Sequence, residues 1–425
     1  MTVDRRDHFD IAVIGLGYIG LPTAAFFAST GLQVYGYDIN ENRVATIARG
    51  EVPFVEPGFD ELLKNVVESQ SMSVGTVLKP ADIYIISVPT PLSSDKSVDP
   101  SFVFEAAKSI APLLQGDELV ILESTSPPGL TEEVADFLVS ERADMTLSPD
   151  QENSIYAAHA PERVLPGKIM EEMTTNARIV GGINQASSER AKKLYERFCQ
   201  NDVLTTDART AEMAKLTENA FRDVNIAFAN ELSLICDELD IDVWELISLA
   251  NRHPRVNVLQ PGPGVGGHCI AVDPWFIVHS ASEQAKLIKT SRLVNDSKPE
   301  FVLSKIDDAL AEFEYKSEHP RIGILGITFK PDIDDIRESP ALRIAGQVAM
   351  RHTANCVDIV EPNLIQLPEP LMRIANAHHT SLDSAIDAAD VLVVLVDHHQ
   401  FRLAQKKISS HPCVLDFRGL LSARQ

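Results

Sequence analysis

Residues 11–20 read Ile-Ala-Val-Ile-Gly-Leu-Gly-Tyr-Ile-Gly, and this stretch decides the fold. The apolar run Ile11 to Ile14 predicts a buried strand, and it leads directly into Gly15, Gly17 and Gly20 in GxGxxG spacing. A helical pattern, PTAAFFAST, follows at 22–30, then a second strand at 33–37 that ends in Asp38. A lone GxGxxG is a weak signal. Here the glycines sit between a strand and a helix, and the acid comes about 20 residues on, as a dinucleotide site requires. The glycines permit a tight turn and let a pyrophosphate approach a helix N-terminus. Asp38 can accept hydrogen bonds from an adenosine ribose and would repel a 2′-phosphate, so the predicted cofactor is NAD.

The same rhythm continues outward: a strand at 83–91, a helical stretch at 102–114, a strand at 118–129 and another at RIVGG, 178–182. Such alternation predicts a parallel sheet wrapped by helices, with ligands at the carboxyl ends of the strands. Thr90 and Thr125 fall just past two such ends, where a hydroxyl serves either a ligand or a simple turn. Glu162, in Ala160-Pro161-Glu162-Arg163, is a candidate acid, base or water-orienting group, with a solvated loop carboxylate as the alternative. From 207 to 250 the pattern becomes helical without an internal Gly or Pro. Lys215 and Asn219 share a face there, able to steady an oxyanion or merely to meet solvent. The many apolar positions on this helix predict a second partner for it, hence a homodimer. A further α/β segment begins near Glu318, but after Gly326 it reads ITFK, without the second and third glycines of a fingerprint. Lys330 and Arg337 lie in FKPDIDDIRESP, where they either hold phosphates or form surface ion pairs.

With 425 residues the chain is long enough for two or three cored domains. A formal net charge of −23 argues against nucleic acid as a partner. No apolar run reaches membrane-spanning length. Five scattered cysteines without a CxxC pair fit a reducing cytoplasm and give no sign of a metal site.

Residues 262–274, GPGVGGHCIAVDP, place Cys269 among glycines with Asp273 four residues later. Glycines at this density let a ligand come close to backbone, so the thiol is reachable. Beside an NAD site, such a thiol suits the oxidation of an aldehyde: it adds to the carbonyl, the adduct loses a hydride, and water cleaves the thioester. The combination predicts an oxidation from alcohol to acid.

Over essentially its whole length the chain resembles the UDP-glucose/GDP-mannose dehydrogenase family, through GLGYIGLP, STSPPG, APER, AKLTENAFRD, the cysteine loop and FKPDIDDIRESP in that order. The resemblance implies two Rossmann-like, doubly wound α/β domains joined by a long central helical segment: an NAD domain at 1–206, a helical dimerisation and catalytic-loop domain at 207–317, and a UDP-sugar domain at 318–425. It implies Cys269 as nucleophile with Asp273 as its loop partner, Lys215 and Asn219 as the oxyanion pair, Glu162 in thioester hydrolysis, and Thr125 near the cofactor. It further implies Gly15, Gly17, Tyr18, Ile19, Gly20, Asp38, Arg43, Thr90 and Arg337 as NAD contacts. Arg163, Arg255, Asn257, Gly266 and Lys330 join Glu162, Lys215 and Asn219 as contacts to a UDP-sugar. The cysteine loop is most similar to the branch acting on UDP-N-acetyl-D-mannosamine. The UDP-glucose branch generally has Ser before the cysteine and Lys before the aspartate, where this chain has His268 and Val272. The family's usual Asn-Pro-Glu reads Ala160-Pro161-Glu162 here. UDP-N-acetylglucosamine and UDP-glucose remain alternative substrates.

Overall fold

Ile11, Ala12, Val13 and Ile14 are almost wholly excluded from solvent, as befits a strand covered on both faces. Their side chains alternate between two cores. Ile11 and Val13 pack with Leu21, Ala25 and Phe27, whereas Ala12 and Ile14 pack with Tyr84, Ile86 and Val134. The computed structural model describes residues 8–93, 95–149, 151–165, 167–313 and 319–422. The chain forms two compact units, Met1–Glu218 with Trp275–Ser280, and Asn219–Pro274 with Ala281–Gln425.

The first unit holds β1 (Phe9–Ile14), β2 (Val34–Tyr37), β3 (Met72–Gly75), β4 (Ala81–Ile86), β5 (Leu119–Leu122), β6 (Tyr156–His159), β7 (Arg178–Gly182) and β8 (Val203–Asp207). Their order is β3-β2-β1-β4-β5-β6-β7-β8. The strands from β3 to β6 in that order pair in parallel, but β7 runs antiparallel to β6 and β8 pairs in parallel with β7, so the sheet departs from the expected uniform direction at RIVGG. In the second unit β9 (Ile322–Leu325), β10 (Val357–Val360), β11 (Ala377–His379), β12 (Val391–Val394) and β13 (Val414–Asp416) make a wholly parallel sheet ordered β11-β10-β9-β12-β13. The expected start of this α/β segment near Glu318 lies outside the described residues.

The helix expected over 207–250 is two helices, Ala208–Glu238 and Val243–Ala250. Asp240 takes a left-handed conformation at φ 54°, and Ile241 N–H closes back on the Cys236 carbonyl at 2.8 Å. Asp242 then caps the next helix by accepting from Trp244 N–H at 2.8 Å. Sequence patterning passed over this break because the interruption is made by aspartates rather than by Gly or Pro.

Within the second unit, the long helix is tied to the helix Lys286–Phe313 by a buried charge. Asp223 accepts from Arg292 at 2.6 Å and from the Asn295 amide at 2.8 Å, and both members of the ion pair are almost fully buried. Removing one member leaves the other charge uncompensated. Arg292→Met is therefore expected to cost about 3–5 kcal/mol of stability. Urea unfolding followed by circular dichroism checks this, and an unchanged midpoint would refute it.

Candidate active site

Each glycine of the first-unit turn has a different steric duty. A Cβ on Gly15, which lies at φ 92°, would fall 2.4 Å from the Ser87 carbonyl oxygen, and one on Gly20 would fall 2.0 Å from the Gly15 oxygen. A Cβ on Gly17 would meet nothing within 4 Å. Thus Gly15 and Gly20 close the turn onto strand and helix, while Gly17 leaves open the space that a pyrophosphate needs. Ile19 stands at the start of the helix Gly20–Ser29, and Tyr18 stacks on Phe54 with ring centres 4.4 Å apart.

Asp38 is buried at the end of β2 and already serves the turn. Its carboxylate accepts from Leu16 N–H and Asn40 N–H, each at 2.9 Å, and pairs with Arg43 at 2.9 Å. Two carboxylate oxygens have about four acceptor positions, so three protein donors leave room for a ribose hydroxyl. Thr90 donates to the Thr125 carbonyl at 2.8 Å, joining the ends of β4 and β5 beside the same turn. The residues present fit NAD.

Glu162 follows β6. One oxygen accepts from the backbone N–H groups of Arg163 and Val164, at 2.7 and 3.1 Å, and the other from Arg178 at 2.7 Å. The Arg163 guanidinium is committed to Glu218 and to the Ala177 carbonyl, tying this loop to the long helix. Lys215 is half-buried on that helix, on the face it shares with Asn219. His159, at the end of β6, is fully buried, and burial pushes its pKa down to about 3. Neutral His159 therefore contributes stability that is complete above its ordinary value of 6.5 and is lost as pH falls towards 3.

In the second unit the cysteine loop is held at three points. At its start, Gly262 N–H donates to the buried Asn230, whose own amide donates to Asn295. In its middle, a Cβ on Gly266 would fall 2.6 Å from the Glu338 carbonyl oxygen, so glycine lets the loop lie against the 329–340 segment. Gly267 N–H also reaches the Arg337 carbonyl at 3.3 Å. At its end, the Asn219 amide donates to Asp273 at 2.5 Å. Between these anchors Cys269 is exposed, and its carbonyl accepts from Asp273 N–H at 2.8 Å as the helix Asp273–Ser280 begins. Asn219, Cys269 and Asp273 are thus brought together, with the Asn219 amide turned towards Asp273.

The 329–340 segment is fixed from below. Buried Glu361 accepts from Ile327 and Thr328 N–H, and buried His398 links Glu361 to Asp332 N–H. Thr328 donates to the Lys330 carbonyl at 3.0 Å, leaving the Lys330 side chain exposed. Arg337 is paired with Asp335 at 2.5 Å. Asn251 bonds Val258 in both directions and so closes a loop on which Arg255 and Asn257 are exposed. Among the described residues no group of three or more His, Cys, Asp or Glu could hold a metal, and no helix is long and apolar enough to cross a membrane.

The sequence reading passed over Arg178, Glu123, Asn230, Glu361 and His398. For Arg178, Glu123 and Glu361 the available signal was a charge set inside or beside an apolar strand, as in RIVGG, LVILES and VDIVE.

The strand, glycine turn and helix closed by buried Asp38 are those of a dinucleotide-binding α/β domain. The chain belongs to the UDP-glucose/GDP-mannose dehydrogenase family: the family's NAD-binding domain matches residues 9–199, its central domain 209–297 and its UDP-binding domain 323–423. It is similar to an NDP-N-acetyl-D-galactosaminuronic acid dehydrogenase of Ralstonia nicotianae, 50% identical across 100% of this chain and 99% of that one. It is also similar to the UDP-N-acetyl-D-mannosamine dehydrogenase of Salmonella typhi, 51% identical across 96% and 98% of the two chains. Among solved structures, a UDP-D-ManNAc dehydrogenase from Pyrococcus horikoshii superposes with a TM-score of 0.85 at 37% identity, covering 97% of this chain and 96% of that one.

The glycine geometry separates two otherwise identical substitutions. Gly17→Ala should fold with an unchanged melting temperature yet bind NADH at least about tenfold more weakly, as expected when backbone can no longer approach the pyrophosphate. Gly20→Ala should melt lower, because its Cβ meets backbone. Thermal melts and NADH fluorescence titration check both, and full NADH affinity in Gly17→Ala would contradict the assignment.

Proposed function

We propose that the chain oxidises the C6 hydroxymethyl of UDP-N-acetyl-D-mannosamine to the carboxylate, in two steps through a covalent adduct on Cys269. The observation that carries this reading is an exposed Cys269 whose carbonyl accepts from Asp273 N–H, with Asp273 in turn receiving the Asn219 amide, in a chain that also carries an NAD turn. NAD, when bound, accepts a hydride in each oxidation. In the first step the alcohol loses a hydride and a proton to give the aldehyde. The Cys269 thiolate then adds to the aldehyde, and Lys215 and Asn219 stabilise the oxyanion. Loss of a second hydride from that thiohemiacetal leaves a thioester. Water cleaves the thioester to the acid and frees the thiol, with Glu162 orienting the water, Thr125 helping to order it and Asp273 assisting proton transfer. The balance is alcohol, two NAD⁺ and water in, carboxylate, two NADH and three protons out.

Gly15, Gly17, Tyr18, Ile19, Gly20, Asp38, Arg43, Thr90 and Arg337 belong to the cofactor site in this reading. Lys330, Arg163, Arg255, Asn257 and Gly266 serve the sugar nucleotide. The three segments 1–206, 207–317 and 318–425 then correspond to cofactor, helical and UDP-sugar domains. The long helix exposes Phe221, Phe228 and Ile235 at a spacing of seven, which supports a homodimer built on that face. Five scattered cysteines without a CxxC pair suit the reducing cytoplasm.

UDP-N-acetylmannosamine is favoured by His268 and Val272 and by the relatives that carry that substrate in their names. The Ralstonia relative supports a second reading, in which another 2-acetamido sugar nucleotide is the substrate. A panel of UDP-N-acetylmannosamine, UDP-N-acetylgalactosamine, UDP-N-acetylglucosamine and UDP-glucose, compared by kcat/KM, decides between them. The proposal expects the first to lead, and highest activity on UDP-glucose would defeat it. Cys269→Ser should lose acid formation while still binding NADH; undiminished acid production in that variant would remove the thiol from the mechanism.

A further inference from the structure

A buried cluster in the first unit holds two carboxylates and one guanidinium. Arg178, the first residue of β7, donates to Glu162 at 2.7 Å, and the side chains of both are 6% exposed. The guanidinium lies 4.9 Å from the ring centre of Tyr195 and 5.0 Å from that of Phe198, and donates also to the Met173 sulfur at 3.1 Å. It is therefore packed in place rather than free to follow Glu162. Glu123, just past β5, is buried in the same region and takes part in no ion pair among the described residues. Its partners are hydroxyls: Thr23 lies 3.1 Å from both carboxyl oxygens and Tyr195 lies 3.4 Å from one.

We propose that Arg178 is a positioning residue that fixes the Glu162 carboxylate for thioester hydrolysis, and that Glu123 stays a neutral acid so that Arg178 serves Glu162 alone. The inference rests on the hydrolytic role given to Glu162 above. Two ionised carboxylates beside one buried guanidinium would leave an uncompensated charge in a low-dielectric interior. A protonated Glu123 removes that charge while still accepting from the Thr23 and Tyr195 hydroxyls, with no cation needed beside it. Burial first, and the Glu162 charge second, push the Glu123 pKa up to about 8, with Arg178, Thr23 and Ser87 opposing. Tyr195, facing from the helix Gln185–Tyr195, has its own pKa raised well above the usual value by burial and then by Glu123, so it remains a neutral hydroxyl. With Glu123 neutral, Glu162 keeps three donors: two backbone N–H groups set the position of one oxygen and Arg178 sets the other. One acceptor position of the carboxylate is left for a water. Above about pH 8 Glu123 ionises and competes for the guanidinium.

Single-turnover reactions with UDP-N-acetylmannosamine and NAD⁺, followed by NADH absorbance and by intact-protein mass after quenching, read oxidation and hydrolysis separately. Arg178→Lys should form NADH at a rate close to that of the wild type, while the enzyme-bound thioester decays at least about tenfold more slowly and accumulates, within the range that a positioned acid–base group contributes. A merely structural role would slow NADH formation and hydrolysis together, and that outcome, or thioester decay at the wild-type rate, overturns the proposal. Glu162→Gln is run alongside. If it fails to accumulate thioester, the role of Glu162 falls. If it accumulates thioester and Arg178→Lys does not, only the present inference falls. Glu123→Gln provides a test that does not depend on Arg178→Lys folding: its thioester decay should stay level from pH 8 to 9 while the wild type slows, and superimposable profiles would refute the competition of Glu123 with Glu162 for the guanidinium.

Discussion

Both halves of this protein depend on backbone lying closer to backbone than a Cβ allows. Gly20 sits where any side chain would strike the Gly15 carbonyl, and Gly266 sits where one would strike the carbonyl of Glu338. The first contact shapes the cofactor turn. The second seats the cysteine loop on the segment that carries Lys330 and Arg337. Neither can be supplied by a stronger interaction elsewhere, because what is needed is the absence of atoms.

Around these two approaches the chain places charges that it then buries and pairs. Asp38 holds the glycine turn by accepting from Leu16 N–H, and Asp273 receives the Asn219 amide at the end of the cysteine loop. Buried Glu212 receives three donors from Gly129 and Thr131, fixing the helix Leu130–Glu141 against the long helix. These groups fix local geometry rather than stabilise the fold cheaply, since each must offset its own desolvation. The cores formed by alternate residues of β1, β9 and β12 supply the stability that tolerates them.

Much of this was legible in the sequence. Periodicity and spacing gave the strand, glycine turn, helix and acid at 11–38, because all four features are local. The density of glycine around Cys269 announced a reachable thiol, and the thiol is exposed. Local pattern could not show the reversal at β7, where RIVGG reads like any buried strand and direction depends on what it pairs with. Nor could it show Arg178 with Glu162, Thr23 with Glu123, or Asp223 with Arg292, which join residues 16, 100 and 69 positions apart. A buried charge looks the same in sequence as a solvated one until its partner is known. The break at Asp240 escaped for a different reason, since aspartate is tolerated in helices and ends one here only through its left-handed backbone.

Four-electron oxidation through the Cys269 thiol is the central proposal. Its most direct test is the amount of NADH formed per UDP-N-acetylmannosamine consumed, with the product identified by mass spectrometry. Two NADH for each UDP-N-acetylmannosaminuronate is the predicted result. One NADH per sugar with an aldehyde as the end product would contradict it.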